Sequence, residues 1–115
     1  GKMELLKNIV RCIDEAKVKN IKIYETKSLT PFFDYVIVAT ASSGRQLRTT
    51  VERVKKDGDE KRYEIRGVEG LSGGYWALVD ADSVLLNIFL QEEREKYDLD
   101  KLWKDLPQID ADNLL

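Results

Sequence analysis

The chain has 115 residues, of which 43% are hydrophobic and 35% charged, with a net charge of −2 and no histidine. That length suits one domain with one modest core, and the near-balanced charge argues against broad adhesion to nucleic acid or anionic membrane. The missing histidine removes imidazole-dependent mechanisms and most zinc sites, and the single Cys12 cannot close an internal disulfide.

In chain order, residues 3–19 read as an amphipathic helix. Leu5, Leu6, Ile9, Val10, Ile13 and Ala16 recur at helical spacing, with Lys7, Arg11, Asp14, Glu15 and Lys17 on the other side. Cys12 falls within this apolar pattern and reads as a small buried side chain. Asn20 is the expected stop. Ile21–Glu25 alternates with period two, as a half-exposed strand does, and Thr30-Pro31 breaks the pattern. Tyr35–Thr40 is a β-branched run that predicts a central strand covered on both faces. Ser43 with Gln46 three residues later is a capping-box signature. The helix it opens carries Leu47, Val51 and Val54 and is expected to reach Asp57, with Gly58 as a left-handed stop.

Arg62–Arg66 alternates and predicts a third strand. Val68–Gly74 is a glycine-rich connector, and Tyr75–Leu90 is a strand hairpin turning at Asp82-Ser83. Glu92 and Glu93 suit the positive end of a following helix. Asp98 caps a last helix whose Leu99, Leu102, Trp103 and Leu106 share a face, and Pro107 ends it. Residues 3–106 therefore form one α/β (α+β) domain, a mixed five-stranded sheet flanked by helices, and residues 107–115 are expected as a loose tail.

Charge is unevenly spread. Residues 43–66 hold eight Lys/Arg against five Asp/Glu, whereas residues 91–115 hold eight Asp/Glu against four Lys/Arg. No apolar run approaches the ~20 residues that span a bilayer. With no signal or transit segment apparent, a bacterial cytoplasmic setting is expected ahead of an organellar matrix, and no membrane partner is expected.

The candidate chemistry is sparse. Asp80 and Asp82 could hold a divalent cation, yet Asp82-Ser83 sits where a hairpin needs a tight turn, and the turn is the preferred reading. Ser42-Ser43-Gly44, with Arg45 and Arg48 beside it, could receive an anion at a helix start, against the simpler reading of a cap satisfied by its own side chains. Gly70…Gly73-Gly74 lacks the strand–loop–helix setting of a dinucleotide site. No serine has a histidine base. The basic helix lacks the interleaved aromatic residues that stack on bases. No cofactor or metal is implied. Trp103 reads as core, whereas Trp76, opening a strand after glycines, reads equally as core or as an interface anchor.

Taken together, Asp34–Ser43 with Arg45-Gln46-Leu47-Arg48, then Val68-Glu69-Gly70, Trp76 with Leu78-Val79-Asp80, and Glu92–Trp103 resemble the ribosomal silencing factors, also called the Iojap family. The resemblance spans roughly residues 5–106. It implies a nucleotidyltransferase-like fold without catalytic metal-binding aspartates, and so a protein that is not an enzyme. It also implies binding to the large ribosomal subunit through its ribosomal protein fourteen on the intersubunit face, where joining of the small subunit is blocked. Organellar relatives act in large-subunit assembly. Trp76 becomes the favoured anchor, with Asp80, Asn87, Glu92 and Glu93 on the partner-binding surface and Arg45 and Arg48 near ribosomal RNA phosphate.

Three positions depart from the family pattern: Asn87 replaces a usual histidine, Asp82 a glycine and Gln91 a common proline. Two rival readings remain, a nucleotidyltransferase-class enzyme and a small RNA-binding module. An exposed edge strand together with Trp76 also offers a route to a homodimer.

Overall fold

The first amphipathic stretch folds as α1 (Lys2–Glu15) in the computed structural model, which describes all residues 1–115. Its apolar stripe, Leu5, Leu6, Ile9, Val10 and Ile13, is buried. The helix stops earlier than its periodicity predicts, because Lys17 turns left-handed at φ 73°. Asn20, also left-handed at φ 51°, sits instead in a register shift of β1 (Lys19–Glu25). Asparagine tolerates that conformation equally at a helix end and at a strand irregularity, so the residue type alone does not separate the two.

Strand β2 (Tyr35–Ala41) is buried along its whole length, as its β-branched composition requires. Ser43 caps α2 (Gly44–Lys61), its hydroxyl accepting from the Gln46 amide at 3.0 Å. Such a cap contributes about 1 kcal/mol. The Gln46 amide oxygen accepts from the Ser42 N–H at 2.6 Å, and its nitrogen reaches the carbonyls of Ala16 and Lys17. One side chain thus caps α2 and ties it to the end of α1.

Helix α2 runs past the expected stop at Gly58. That glycine is buried inside the helix, where a Cβ would lie 2.9 Å from the Tyr63 carbonyl. It is small so that the chain can fold back across it. The left-handed stop falls to Arg62, at φ 62° and ψ 45°. Residues 62–66 are consequently the return of the chain, and the third strand, β3 (Gly67–Glu69), begins later than alternation predicts.

Strands β4 (Trp76–Ala81) and β5 (Val84–Leu90) form the predicted hairpin around a two-residue turn, with Asp82 at φ 54°. Helix α3 (Gln91–Tyr97) and a single turn, α4 (Leu99–Leu102), follow, joined at Asp98, whose carboxylate accepts from the Lys101 amide.

The sheet has six strands, not five, in the order β3-β4-β5-β2-β1-β6. The sixth, β6 (Gln108–Ile109), pairs antiparallel with Ile23 and Tyr24 of β1. The segment expected to be loose is therefore packed. It ends in a 3-10 turn over Ala111–Leu114, with Leu114 buried and its carbonyl accepting from Arg11. Two paired residues fall below the length at which alternation can be read, so the strand leaves no pattern in the sequence. Only β2 and β5 run parallel.

Alternation along the strands sends Ile37, Ala39, Val79, Leu86 and Ile88 toward α1 and α2, in a cluster of 21 buried residues. The opposite face buries a smaller set, Tyr24, Val36, Val38, Thr40, Asn87 and Phe89, with Trp76, Leu99, Trp103 and Leu106 packed against its apolar cluster. One face is sealed by α1 and α2; the other is covered only in part and is open toward its rim.

Candidate functional site

Of the predicted residues, Trp76 and Asn87 meet on the open face. Trp76 begins β4 directly opposite Phe89 of β5. Its ring stacks on Phe89 at 4.8 Å between centroids and meets Tyr97 of α3 at 4.7 Å. The indole N–H donates to the Asn87 side-chain oxygen at 3.1 Å. Trp76 is half-buried, so it is neither a core residue nor a free one. It is held on three sides and open on the fourth. The glycine loop before it is built for this: Gly70 has φ +88°, and a Cβ there would sit 1.9 Å from the Trp76 carbonyl oxygen. Only glycine fits.

Asn87, expected on the surface, is buried at 1% exposure. Its amide bridges the Trp76 indole and the Ile37 carbonyl, the latter at 3.4 Å. It orients the tryptophan and cannot itself reach a partner.

Around Trp76 lies a groove of about 450 Å³ lined by Glu69, Tyr75, Leu78 and Tyr97. Tyr75 and Tyr97 are 49% and 44% exposed, and Leu102 on the neighbouring turn is 70% exposed. Glu92 and Glu93 occupy the first turn of α3, where the helix dipole favours them. The arrangement is an aromatic patch beside carboxylates, a surface suited to a partner that carries cations near apolar groups.

The other predicted residues lie apart. Asp80 is at the far end of β4, paired with Arg66 at 3.3 Å; the same arginine pairs with Asp82 at 3.4 Å and donates to the Asp82 carbonyl. A cation bound by these two aspartates would have to displace that guanidinium. No group of three or more acidic, cysteine or histidine side chains converges elsewhere. Arg45 and Arg48 project from α2, which packs on the sealed face. Arg45 is exposed, whereas the Arg48 Nε donates to the Leu71 carbonyl at 3.0 Å and so braces the glycine loop.

Tyr75 and Tyr97 join the site without having been expected there from the sequence, and Leu102, expected on the packed face with Leu99, Trp103 and Leu106, points instead to solvent. The signal available for Tyr97 is an aromatic ring placed within a run of charges, where burial gives it no reason to be. Cys12 is half-buried, and burial, followed by nearby Asp57 and Glu15, pushes its thiol up to about 11. It is not a nucleophile at neutral pH.

Fold and site together define an α+β domain with one sealed face and one open aromatic-acidic face. The chain belongs to the ribosomal silencing factor family: the sequence model of that family, described as "Ribosomal silencing factor during starvation" (RsfS), matches residues 2–115. It is similar to the ribosomal silencing factor RsfS of Chromobacterium violaceum, 35% identical over 100 residues that cover 87% of this chain and 82% of the relative. The RsfS of Halalkalibacterium halodurans is 28% identical over 112 residues, covering 97% of this chain and 96% of that one. A crystal structure of a Chromobacterium violaceum protein superimposes with a TM-score of 0.87 at 34% identity, over 90% of this chain and 87% of the other.

Proposed function

We propose that the chain represses translation by docking its open face on a ribosomal protein of the large subunit's intersubunit surface, in the path of the small subunit. The observation that carries this reading is Trp76, a large ring hydrogen-bonded and stacked into one orientation yet left partly exposed among Tyr75 and Tyr97. Aromatic anchors of this kind supply most of the energy at many interfaces. The family's name supports the direction of the effect, and ribosomal protein fourteen is the proposed target. Glu92 and Glu93 would face its basic groups; Asp80, at the remote end of β4 and already paired, would lie at the rim.

The mechanism is occupancy. A specific interface buries roughly 800 Å² per partner, about one-eighth of the 6591 Å² surface of this chain. The rest of a body measuring 34 × 32 × 25 Å stands in the way. Arg45, free of internal partners, would approach ribosomal RNA phosphate, and Arg48 would act by bracing the loop. The setting is the cytoplasm of a bacterium.

Trp76→Ala is expected to abolish co-sedimentation with purified large subunits while subunit joining returns to its uninhibited level. A variant that still sediments with them would overturn the anchor. Isothermal calorimetry with a nucleoside triphosphate and magnesium should register no binding heat; a saturable signal would favour the enzyme reading instead.

A further inference from the structure

Arg94 is the chain's single buried cation, at 8% exposure. A guanidinium out of water is costly unless its donors are matched, and here they are. Nε and Nη2 reach the two carboxylate oxygens of Asp100 at 3.0 and 3.2 Å. Nη1 donates to the Thr40 hydroxyl at 2.9 Å and to the Asn20 carbonyl at 2.6 Å. Asp100 in turn accepts from the Tyr24 hydroxyl. The partners come from β1, β2 and α4, so one side chain rivets the acidic arm, residues 91–106, onto the open face of the sheet.

The arm's other holds are partly buried contacts, Trp103 against Tyr24 and Tyr97 against Phe89 and Trp76. Arg94 is the one buried residue of α3, and α4 has none. Leu99, Trp103 and Leu106 are only partly buried against the small second cluster. Apolar burial on this scale fixes a segment weakly, whereas a matched guanidinium–carboxylate fork fixes its orientation. Three residues beyond Arg94, Tyr97 lays its ring against Trp76.

We propose that Arg94 and Asp100 are positioning residues for docking: their clasp holds the arm so that Tyr97 keeps Trp76 in the orientation that meets the partner. The inference rests on the docking role of Trp76. With the clasp open, Trp76 loses one of its three supports, and the cost of ordering it again falls on the binding step. Neither residue touches the partner.

The test uses a Trp103→Phe background, in which Trp76 is the sole tryptophan, and the paired change Arg94→Met with Asp100→Asn, which leaves no uncompensated charge. The pair is expected to lower affinity for purified bacterial large subunits about tenfold or more and to make Trp76 emission red-shifted and more accessible to acrylamide. Added to Tyr97→Ala, it should cost less than about twofold further, because both act through one contact. Wild-type affinity, unchanged emission or full additivity with Tyr97→Ala would each overturn the clasp. If the pair does not fold, Arg94→Lys, which keeps the charge and loses the fork, carries the same expectation at about threefold, and wild-type affinity there overturns it equally. Trp76→Ala run alongside separates the two ideas. Retained sedimentation there defeats the docking reading; its loss, with the clasp variant binding as wild type, defeats the clasp alone.

Discussion

Replacing Asn87 with leucine separates stability from docking more cleanly than any change on the surface. The side chain is 1% exposed and makes two hydrogen bonds, a sound one of 3.1 Å from the Trp76 indole and a long one of 3.4 Å to the Ile37 carbonyl. Leaving the indole N–H without its acceptor costs about 1–3 kcal/mol where water is excluded. The partial exposure of Trp76 lets water recover some of that, so the lower end applies. Burying an apolar side chain in place of an amide returns about 1–2 kcal/mol. The two terms nearly cancel, and a net change within about 1 kcal/mol is expected. In urea, with a slope of roughly 1–3 kcal/mol per molar, the midpoint should move by less than about 1 M. Docking should respond differently, because the indole loses the bond that sets its direction. A fall of about tenfold in affinity for large subunits is expected, equivalent to roughly 1.4 kcal/mol. Gradient sedimentation at graded protein concentrations measures it. Asn87→Leu binding as tightly as wild type, with stability also unchanged, would refute the idea that Asn87 works by aiming Trp76.

The remaining predictions concern the frame around that site. Gly70→Ala should lose about 3 kcal/mol or more, since it joins a forced left-handed backbone to a Cβ 1.9 Å from the Trp76 carbonyl; a calorimetric midpoint lowered by less than about 5 °C would contradict this. Arg62→Gly should gain about 0.5–1 kcal/mol in chemical denaturation, because Arg62 holds φ 62° at the α2 stop and glycine does so without strain. Acid should open the clasp. Burial opposes the charged form of Asp100, but hydrogen bonds from Arg94 and Tyr24, with nearby Lys22, outweigh it and hold the carboxyl below its usual value. A lowered folded pKa means the contribution is complete above the ordinary carboxylate range near pH 4 and is lost as pH falls through the depressed value. Asp98 bears on the same cluster through Tyr24, whose hydroxyl burial and Asp100 push upward. Trp76 emission in the Trp103→Phe background should therefore stay constant from pH 7 to about 5 and change below; a transition centred near pH 6 would contradict the assignment.

Elements whose signal is periodic or local in chemistry are legible in the amino-acid order alone. The stripe of α1, the apolar run of β2, the Ser43–Gln46 cap and the Asp82-Ser83 turn each rest on neighbours within four residues. Residue types with two uses are harder to separate. Gly58 looks the same whether it ends a helix or lets Tyr63 cross it, and Asn20 whether it stops a helix or shifts a strand register. Alternation sets β3 too early because Arg62–Arg66 alternates for reasons of its return path, with Tyr63 turned inward to Asp57 at 2.6 Å. Trp76 is visible as a large ring after small residues. The burial of Asn87 is not, since an amide inside a strand reads the same on either side of the surface. The Arg94 clasp leaves no trace at all: its partners Thr40 and Asn20 lie 54 and 74 residues away, and only folding brings them together.

Both rims of the sheet end in very short strands, three residues at β3 and two at β6. A neighbouring copy finds no long unpaired backbone there to extend, so crowding has no easy route to fibrous stacking. Under the proposed occupancy mechanism the protein would have to match its targets copy for copy, and margins this short give its copies little backbone to pair through at that number.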